Sequence, residues 1–164
     1  MQYPICSACV ASQELCSSCN ELVKTGAVSP LDVSVSRFMK GLEEKYEITG
    51  VDLVKTHDLE SFIIIVGRGK ISGMIGREGR NIRLMSAEFK KKVRVIKEGD
   101  VLQMVSDLIS PAKIEGVNVL YTNDGERFKV IIPSVERRKI YMDEKALNAA
   151  VEAIFKGEVI IKYQ

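Results

Sequence analysis

Two glycines three residues apart, Gly76 and Gly79, interrupt a segment that otherwise reads as helix from Lys70 to Lys91. With only Arg77 and Glu78 between them, the connection needs backbone angles that a Cβ resists, and glycine lets another backbone come within contact distance. An ordinary helix-to-helix turn would ask for no more than this. The surrounding charge is what sharpens the reading. From Gly67 to Lys97 ten basic residues stand against two acidic ones, whereas the rest of the chain carries 14 basic and 20 acidic. The modest formal charge of +2 therefore hides one strongly positive segment, which implies a local anionic partner or, more simply, a solvated basic face. A helix starting at Gly79 turns its N–H groups toward the bend, which favours an anion such as phosphate. Arg77, Arg80 and Arg83 add cations on the accessible side, and Ile71, Met74, Ile75 and Ile82 supply an apolar flank. Together these residues describe a groove for a single-stranded nucleic acid, with the backbone gripped at one edge and bases lying on aliphatic side chains.

The pattern around this turn predicts an α+β fold. Ser29-Pro30-Leu31-Asp32 is a helix start, with a serine cap, proline at the first helical position and an acid three residues after the cap. Leu31, Val35, Phe38, Met39, Leu42 and Tyr46 continue it at helical spacing. Strands are expected at Val51 to Lys55, Phe62 to Val66 and Val93 to Ile96, the second buried on both faces, and Ile82, Met85 and Phe89 form the inward stripe of the helix after the turn. The order is α-β-β-α-α-β. A shift of 66 residues places Val51 on Val117, Leu53 on Val119, Ile64 on Val130, Val66 on Ile132, Phe89 on Phe155 and Val93 on Val159, as an internal duplication would. Asn123-Asp124-Gly125 marks a hairpin in the second copy, and Gly157 the end of its helix Leu147 to Phe155.

The segment Ile75 to Ile82, IGREGRNI, resembles the GXXG signature loop of KH domains, which clamps four nucleotides of RNA or single-stranded DNA. The element order resembles the type II, prokaryotic arrangement, a three-stranded sheet with helices on one side. Leu108 to Leu120, with Ser110-Pro111-Ala112, is similar to the join between tandem KH domains of NusA-like proteins, in particular the short archaeal kind. The resemblance covers residues 31 to 164. It implies a KH domain over 29–98 with an intact loop and a degenerate KH-like domain over 99–164. In the second copy Met142-Asp143-Glu144-Lys145 replaces Gly-Arg-Glu-Gly, and its two acids should repel phosphate. The resemblance further implies single-stranded RNA as ligand, contacted by Gly76, Arg77, Glu78, Gly79, Arg80, Arg83, Ile71, Ile75 and Ile82, with RNA polymerase as partner in elongation or termination. A role in ribosome assembly or RNA processing, or protein docking without RNA, is the alternative.

All four cysteines lie in residues 1–28, as Cys6-x₂-Cys9 and Cys16-x₂-Cys19. Two such knuckles supply the four thiolates of a closed tetrahedral zinc site, which is structural because no ligand position is left open. It would stand in for a core this short segment cannot build. Iron, an iron–sulfur centre or a redox dithiol pair are competing readings. No apolar run approaches the ~20 residues of a membrane span, and no secretory signal opens the chain, so a cytoplasmic protein is expected. The single histidine, His57, reads as an exposed turn residue. No nucleophile–base set or Walker loop is present, so neither an enzyme nor a small-molecule substrate is expected. Gly67, Gly69 and Gly73 after a strand suggest dinucleotide binding only weakly, because the alternating β-α units of that fold are missing.

Overall fold

In the computed structural model, which describes residues 1–164, the capping signal at Ser29 forms in full. The Ser29 hydroxyl accepts from the Asp32 amide at 3.0 Å, and the Asp32 carboxylate accepts from the Ser29 amide at 2.9 Å. They open α3 (Pro30–Tyr46), which follows two short helices, α1 (Ser7–Ala11) and α2 (Ser17–Lys24). Next come β1 (Val51–Asp58), β2 (Phe62–Gly69), α4 (Ser72–Ile75), a 3₁₀ turn over Arg77–Gly79, α5 (Arg80–Phe89) and β3 (Lys92–Lys97). These elements make one compact unit, Met1–Glu98. The order α-β-β-α-α-β expected from residue 31 onward is the order observed. The sheet runs β1-β2-β3, antiparallel across the hairpin and parallel between β2 and β3.

One face of this sheet carries the core. Val35, Met39 and Leu42 of α3, Met74 of α4 and Met85 of α5 pack with Leu53, Ile63, Ile65, Val93 and Val95. Along β2 every residue from Phe62 to Gly67 is buried, as its isoleucine-rich run predicts. The other end of α3 serves a second, smaller cluster, in which Val33 joins Ile5, Cys9, Val10, Cys19 and Val28. The N-terminal segment therefore borrows a wall from α3, which is how so few residues come to have a buried interior. Strand β1 runs on to Asp58, so His57 is a half-buried strand residue paired opposite Ile64 and not the turn residue its position suggests. The free edge of β1 is covered from within: the Leu53 amide donates to the Gln2 carbonyl at 2.9 Å and the Thr56 amide to Asp32 at 2.7 Å.

The second unit, Gly99–Gln164, holds α6 (Val101–Ile109), β4 (Gly116–Thr122), β5 (Gly125–Ile132), a 3₁₀ segment Ser134–Lys139, α7 (Glu144–Phe155) and β6 (Val159–Tyr163). Its sheet again has the order β4-β5-β6, one antiparallel and one parallel pairing. The hairpin turns at Asn123-Asp124 as expected, with Thr122 opposite Gly125. The 66-residue spacing holds where α5 and α7 end: Lys90 and Lys156 both take the left-handed conformation, with φ of 54° and 51°. It fails in the hairpin. Val93 faces Ile63, whereas Val159 faces Phe128, so it is Ile65 and not Ile64 that corresponds to Val130. Val51 pairs with Gly69 and Val117 with Val130, so the matches of Val51 to Val117 and Leu53 to Val119 are not structural equivalents. The two hairpins differ in length at both ends, which alternating apolar residues conceal. Ser110-Pro111-Ala112 lies inside the second unit, between α6 and β4, and not at the junction.

Asp32 is 1% exposed, and its carboxylate accepts from the Ser29 amide and from both the amide and hydroxyl of Thr56. Asp32→Ala leaves three donors, two of them buried, without an acceptor and should cost about 3 kcal/mol in denaturant unfolding of the first unit. Asp32→Asn, which keeps one carbonyl oxygen, should cost less.

Candidate nucleic-acid interface and metal centre

The two-glycine turn is built by α4, the 3₁₀ turn and α5 in succession. Gly76 has φ 76° and ψ 168°, a region closed to other residues, and a Cβ there would stand 2.7 Å from the Asn81 Cγ. Gly79 has φ 72° but open space around it, with only the Arg83 guanidinium at 3.6 Å. Glu78 between them is also left-handed, with φ 54°. Asn81, absent from the sequence-derived site, is the residue that fixes the bend. It is fully buried, and its amide donates to the Gly73 carbonyl at 3.0 Å, tying α4 to α5 across the turn. Its place one turn before Met85, on the inward face, is the signal that could have found it: a polar side chain there must have a partner.

Arg77 and Glu78 are exposed at the tip, while Gly76, Gly79 and Arg80 are half-buried. A cleft of about 320 Å³ opens beside the turn, lined by Tyr46, Lys70, Ser72, Gly76, Arg77, Arg80 and Asn81 among others, with Glu47 as its acid. The Arg80 guanidinium lies 3.4 Å from the Tyr46 ring centroid, and Arg83 donates to the Glu78 carbonyl. Arg80 and Arg83 are thus held in place by contacts within the fold, and Arg77 stands exposed at the tip. Two amides of the bend are used internally: Gly79 donates to the Gly76 carbonyl at 3.1 Å and Arg80 to that of Arg77. No side chain caps the N-terminus of α5. Ile71, Ile75 and Ile82 are half-buried against the core, but Met74 is wholly buried and cannot form part of an apolar flank for a ligand. Gly67 and Gly69 are packing positions. A Cβ on Gly67 would come 2.7 Å from the Met74 sulfur, and one on Gly69 2.4 Å from the Gly50 carbonyl oxygen.

In the second unit the corresponding helix start is closed. Asp143 is the N-cap of α7, accepting from the Ala146 amide at 2.7 Å, and Glu144 pairs with Arg137. A carboxylate of the chain itself sits where α5 leaves its N-terminus open.

The four cysteines converge. Their sulfurs lie within 4.8 Å of one another, and those of Cys6 and Cys16 are 4.0 Å apart. Metal–sulfur bonds near 2.3 Å in a tetrahedron require about 3.8 Å between sulfurs, so the donor set fits a four-thiolate metal centre. Each knuckle is the start of a helix: Cys6 and Cys16 are the N-cap residues of α1 and α2, and Cys9 and Cys19 sit one turn inside, 2% and 3% exposed. Backbone amides point at the sulfurs, Cys16 to Cys9 at 3.1 Å and Cys6 to Cys19 at 3.4 Å. The Cys19 amide and the neighbouring thiols hold the Cys16 thiol down, to about 7. The Cys9 thiolate is favoured by the Cys16 amide, yet burial and the other sulfurs push it up to about 12. Four thiolates so close need a cation among them. Arg37 of α3 reaches this cluster, donating from Nε to the Cys9 carbonyl at 3.3 Å, and its buried Nη2 has no hydrogen-bond partner. A buried guanidinium nitrogen left without an acceptor fits a neighbouring centre whose net charge is negative once four thiolates hold a dication.

Gly76→Ala should destabilise the first unit by about 3 kcal/mol, from forbidden backbone angles plus a clash with Asn81. Gly79→Ala should cost only about 1 kcal/mol, the ordinary left-handed penalty. Denaturant unfolding of the two variants separates the roles, and equal losses would refute the packing assigned to Gly76.

A search of curated proteins finds a relative from Methanococcus vannielii described as "Probable transcription termination protein NusA", 28% identical over 109 residues. The match covers 65% of this chain and 63% of that protein, so the chain spans a little under two thirds of the relative's length. Among solved structures, the crystal structure of APE1850 matches with a TM-score of 0.56 at 22% identity, over 77% of this chain and 96% of that one, which speaks to the fold alone. No family model matches the chain.

Proposed function

We propose that this chain is a non-enzymatic, single-stranded RNA-binding factor of KH type that acts in transcription with RNA polymerase, in the manner of NusA, and influences elongation or termination. The observation that carries this reading is the Gly76-Arg77-Glu78-Gly79 bend, exposed at its Arg77-Glu78 tip, at the uncapped N-terminus of α5, beside a cleft that Lys70, Arg77 and Arg80 make positive. The α-β-β-α-α-β order of the first unit and the likeness to the Methanococcus vannielii relative support it.

On this reading the phosphates of an extended strand lie against the bend. Arg77 is free to approach them, and Arg80, stacked on Tyr46, presents a charge whose side-chain freedom is already spent. Bases lie toward Ile71, Ile75 and Ile82, whose half-exposed surface is sequence-tolerant, so base preference is modest. The second unit does not use the same grip, because Asp143 occupies its helix start. The four cysteines hold Zn²⁺, which cross-links α1 to α2 and thereby secures the N-terminal segment on α3. No helix is long and apolar enough to cross a membrane.

Wild-type protein should shift a short single-stranded RNA with an affinity that falls as salt rises, and Arg77→Asp/Glu78→Asp should abolish the shift while leaving thermal unfolding unchanged. Absence of binding by the wild type would overturn the reading. Metal analysis should find one zinc per chain, and a strong chelator should lower the unfolding temperature of wild type but not that of a Cys9→Ser/Cys19→Ser protein. Absence of zinc from cleanly prepared protein would remove the metal.

A further inference from the structure

A second positive cleft lies at the far end of α5 from the two-glycine turn. It encloses about 540 Å³ and is lined by Lys90, Lys91, Lys92, Ser61, Ser86 and Glu60. The chain reaches it where α5 ends in left-handed Lys90 and β3 begins, beside the loop that enters β2. Lys91 is committed: it pairs with Asp58 and donates to the Leu59 carbonyl at 2.8 Å. Lys90 and Lys92 are exposed and make no ion pair, and the Lys92 ammonium lies 5.5 Å from the Phe62 ring centroid. Ser61 and Ser86 add hydroxyl donors at the same place.

Lysines at a helix C-terminus are favoured by the helix dipole, and one of the three needs no other reason. The second unit provides an internal control for the other two. Its helix ends the same way, with Phe155 and left-handed Lys156 matching Phe89 and Lys90, but the next two residues are Gly157 and Glu158 instead of Lys91 and Lys92. The fold therefore requires the left-handed lysine position and not the basic run. The run occurs only in the unit that also keeps an open α5 N-terminus and a basic two-glycine turn.

We infer that the Lys90–Lys92 cleft is a second phosphate-contact site for the same nucleic-acid strand, which leaves the two-glycine turn and follows α5 to its C-terminal end. This rests on the RNA-binding reading above. Helix α5 is about 15 Å long, with cations at 77, 80 and 83 near its start and at 90 and 92 past its end. A strand touching both sets must be longer than the four nucleotides that the bend clamps. The ligand is thus the phosphodiester backbone of a strand of at least about seven nucleotides, contacted without base recognition at the distal end.

The test compares fluorescence anisotropy of a four-nucleotide and a ten-nucleotide single-stranded RNA on full-length wild type, Lys90→Glu/Lys92→Glu and Lys90→Gln/Lys92→Gln. Both variants should stay cooperatively folded, since the altered side chains are exposed, with the glutamate variant unfolding slightly lower because an acid at the end of α5 opposes its dipole. The glutamate variant should lose about tenfold for the ten-mer and less than twofold for the four-mer. The glutamine variant should lower the ten-mer's salt dependence by about one phosphate contact's worth, a slope change near 0.7 per contact. Unchanged ten-mer affinity, or equal loss on both lengths, overturns the second site while leaving the bend as the binding element. Failure of wild type to bind either RNA overturns the functional reading and this site with it.

Discussion

The first unit is organised around one buried carboxylate. Asp32 carries a charge in an interior position where an unpaired ion would be prohibitive, so its oxygens must be satisfied by fixed donors. Those donors come from two elements far apart in sequence, the Ser29 amide at the start of α3 and the amide and hydroxyl of Thr56 in β1. A charge-assisted hydrogen bond is stronger than a neutral one, and the two from Thr56, with the Lys55 ammonium 4.0 Å from the same carboxylate, fix how α3 lies on the edge of the sheet. Everything of functional interest in this unit then depends on α3. Val33 and Arg37 meet the cysteine cluster at one end, Val35, Met39 and Leu42 fill the core, and Tyr46 at the other end carries Arg80. One helix of 17 residues, about 25 Å long, thus joins the candidate metal centre to the candidate phosphate cleft.

Much of this was legible in the sequence because it depends on local rules. The capping box at Ser29, the element order, the isoleucine strand, the hairpin at Asn123-Asp124 and the convergence of two cysteine knuckles all follow from short-range patterns whose physical cause is local. What was not legible depends on pairing across the chain. Strand register is invisible when several neighbouring residues are apolar, so Ile64 and Ile65 could not be told apart as counterparts of Val130. His57 was misplaced because nothing in its neighbours shows that β1 continues to Asp58. Met74 was assigned to a binding surface because helical spacing cannot say which of two apolar stripes faces the sheet. The roles of Asn81 and Tyr46 are illegible for a related reason: Asn81 is a polar residue on a buried face whose partner lies across the turn, and Tyr46, one of an apolar helical stripe, stacks on Arg80 from a different helix.

The two units show what a helix start does with its unpaired amides. A helix N-terminus attracts negative charge whatever its source, and a carboxylate at the cap contributes typically about 1 kcal/mol relative to alanine. In the second unit Asp143 is that charge, supplied by the chain. In the first unit Gly79 forgoes a side-chain acceptor at a cost of only a few tenths of a kcal/mol, because glycine is itself a tolerated cap. The difference in stability between a closed and an open helix start is therefore small, while an incoming anion would meet the Asp143 carboxylate at one and the flanking cations Arg77, Arg80 and Arg83 at the other. The same sheet arrangement can carry either kind of helix start with little penalty to its folding. A few tenths of a kcal/mol in stability thus separates a helix start filled by the chain's own carboxylate from one flanked by cations, and gives two similar sheets different surfaces for a polyanion.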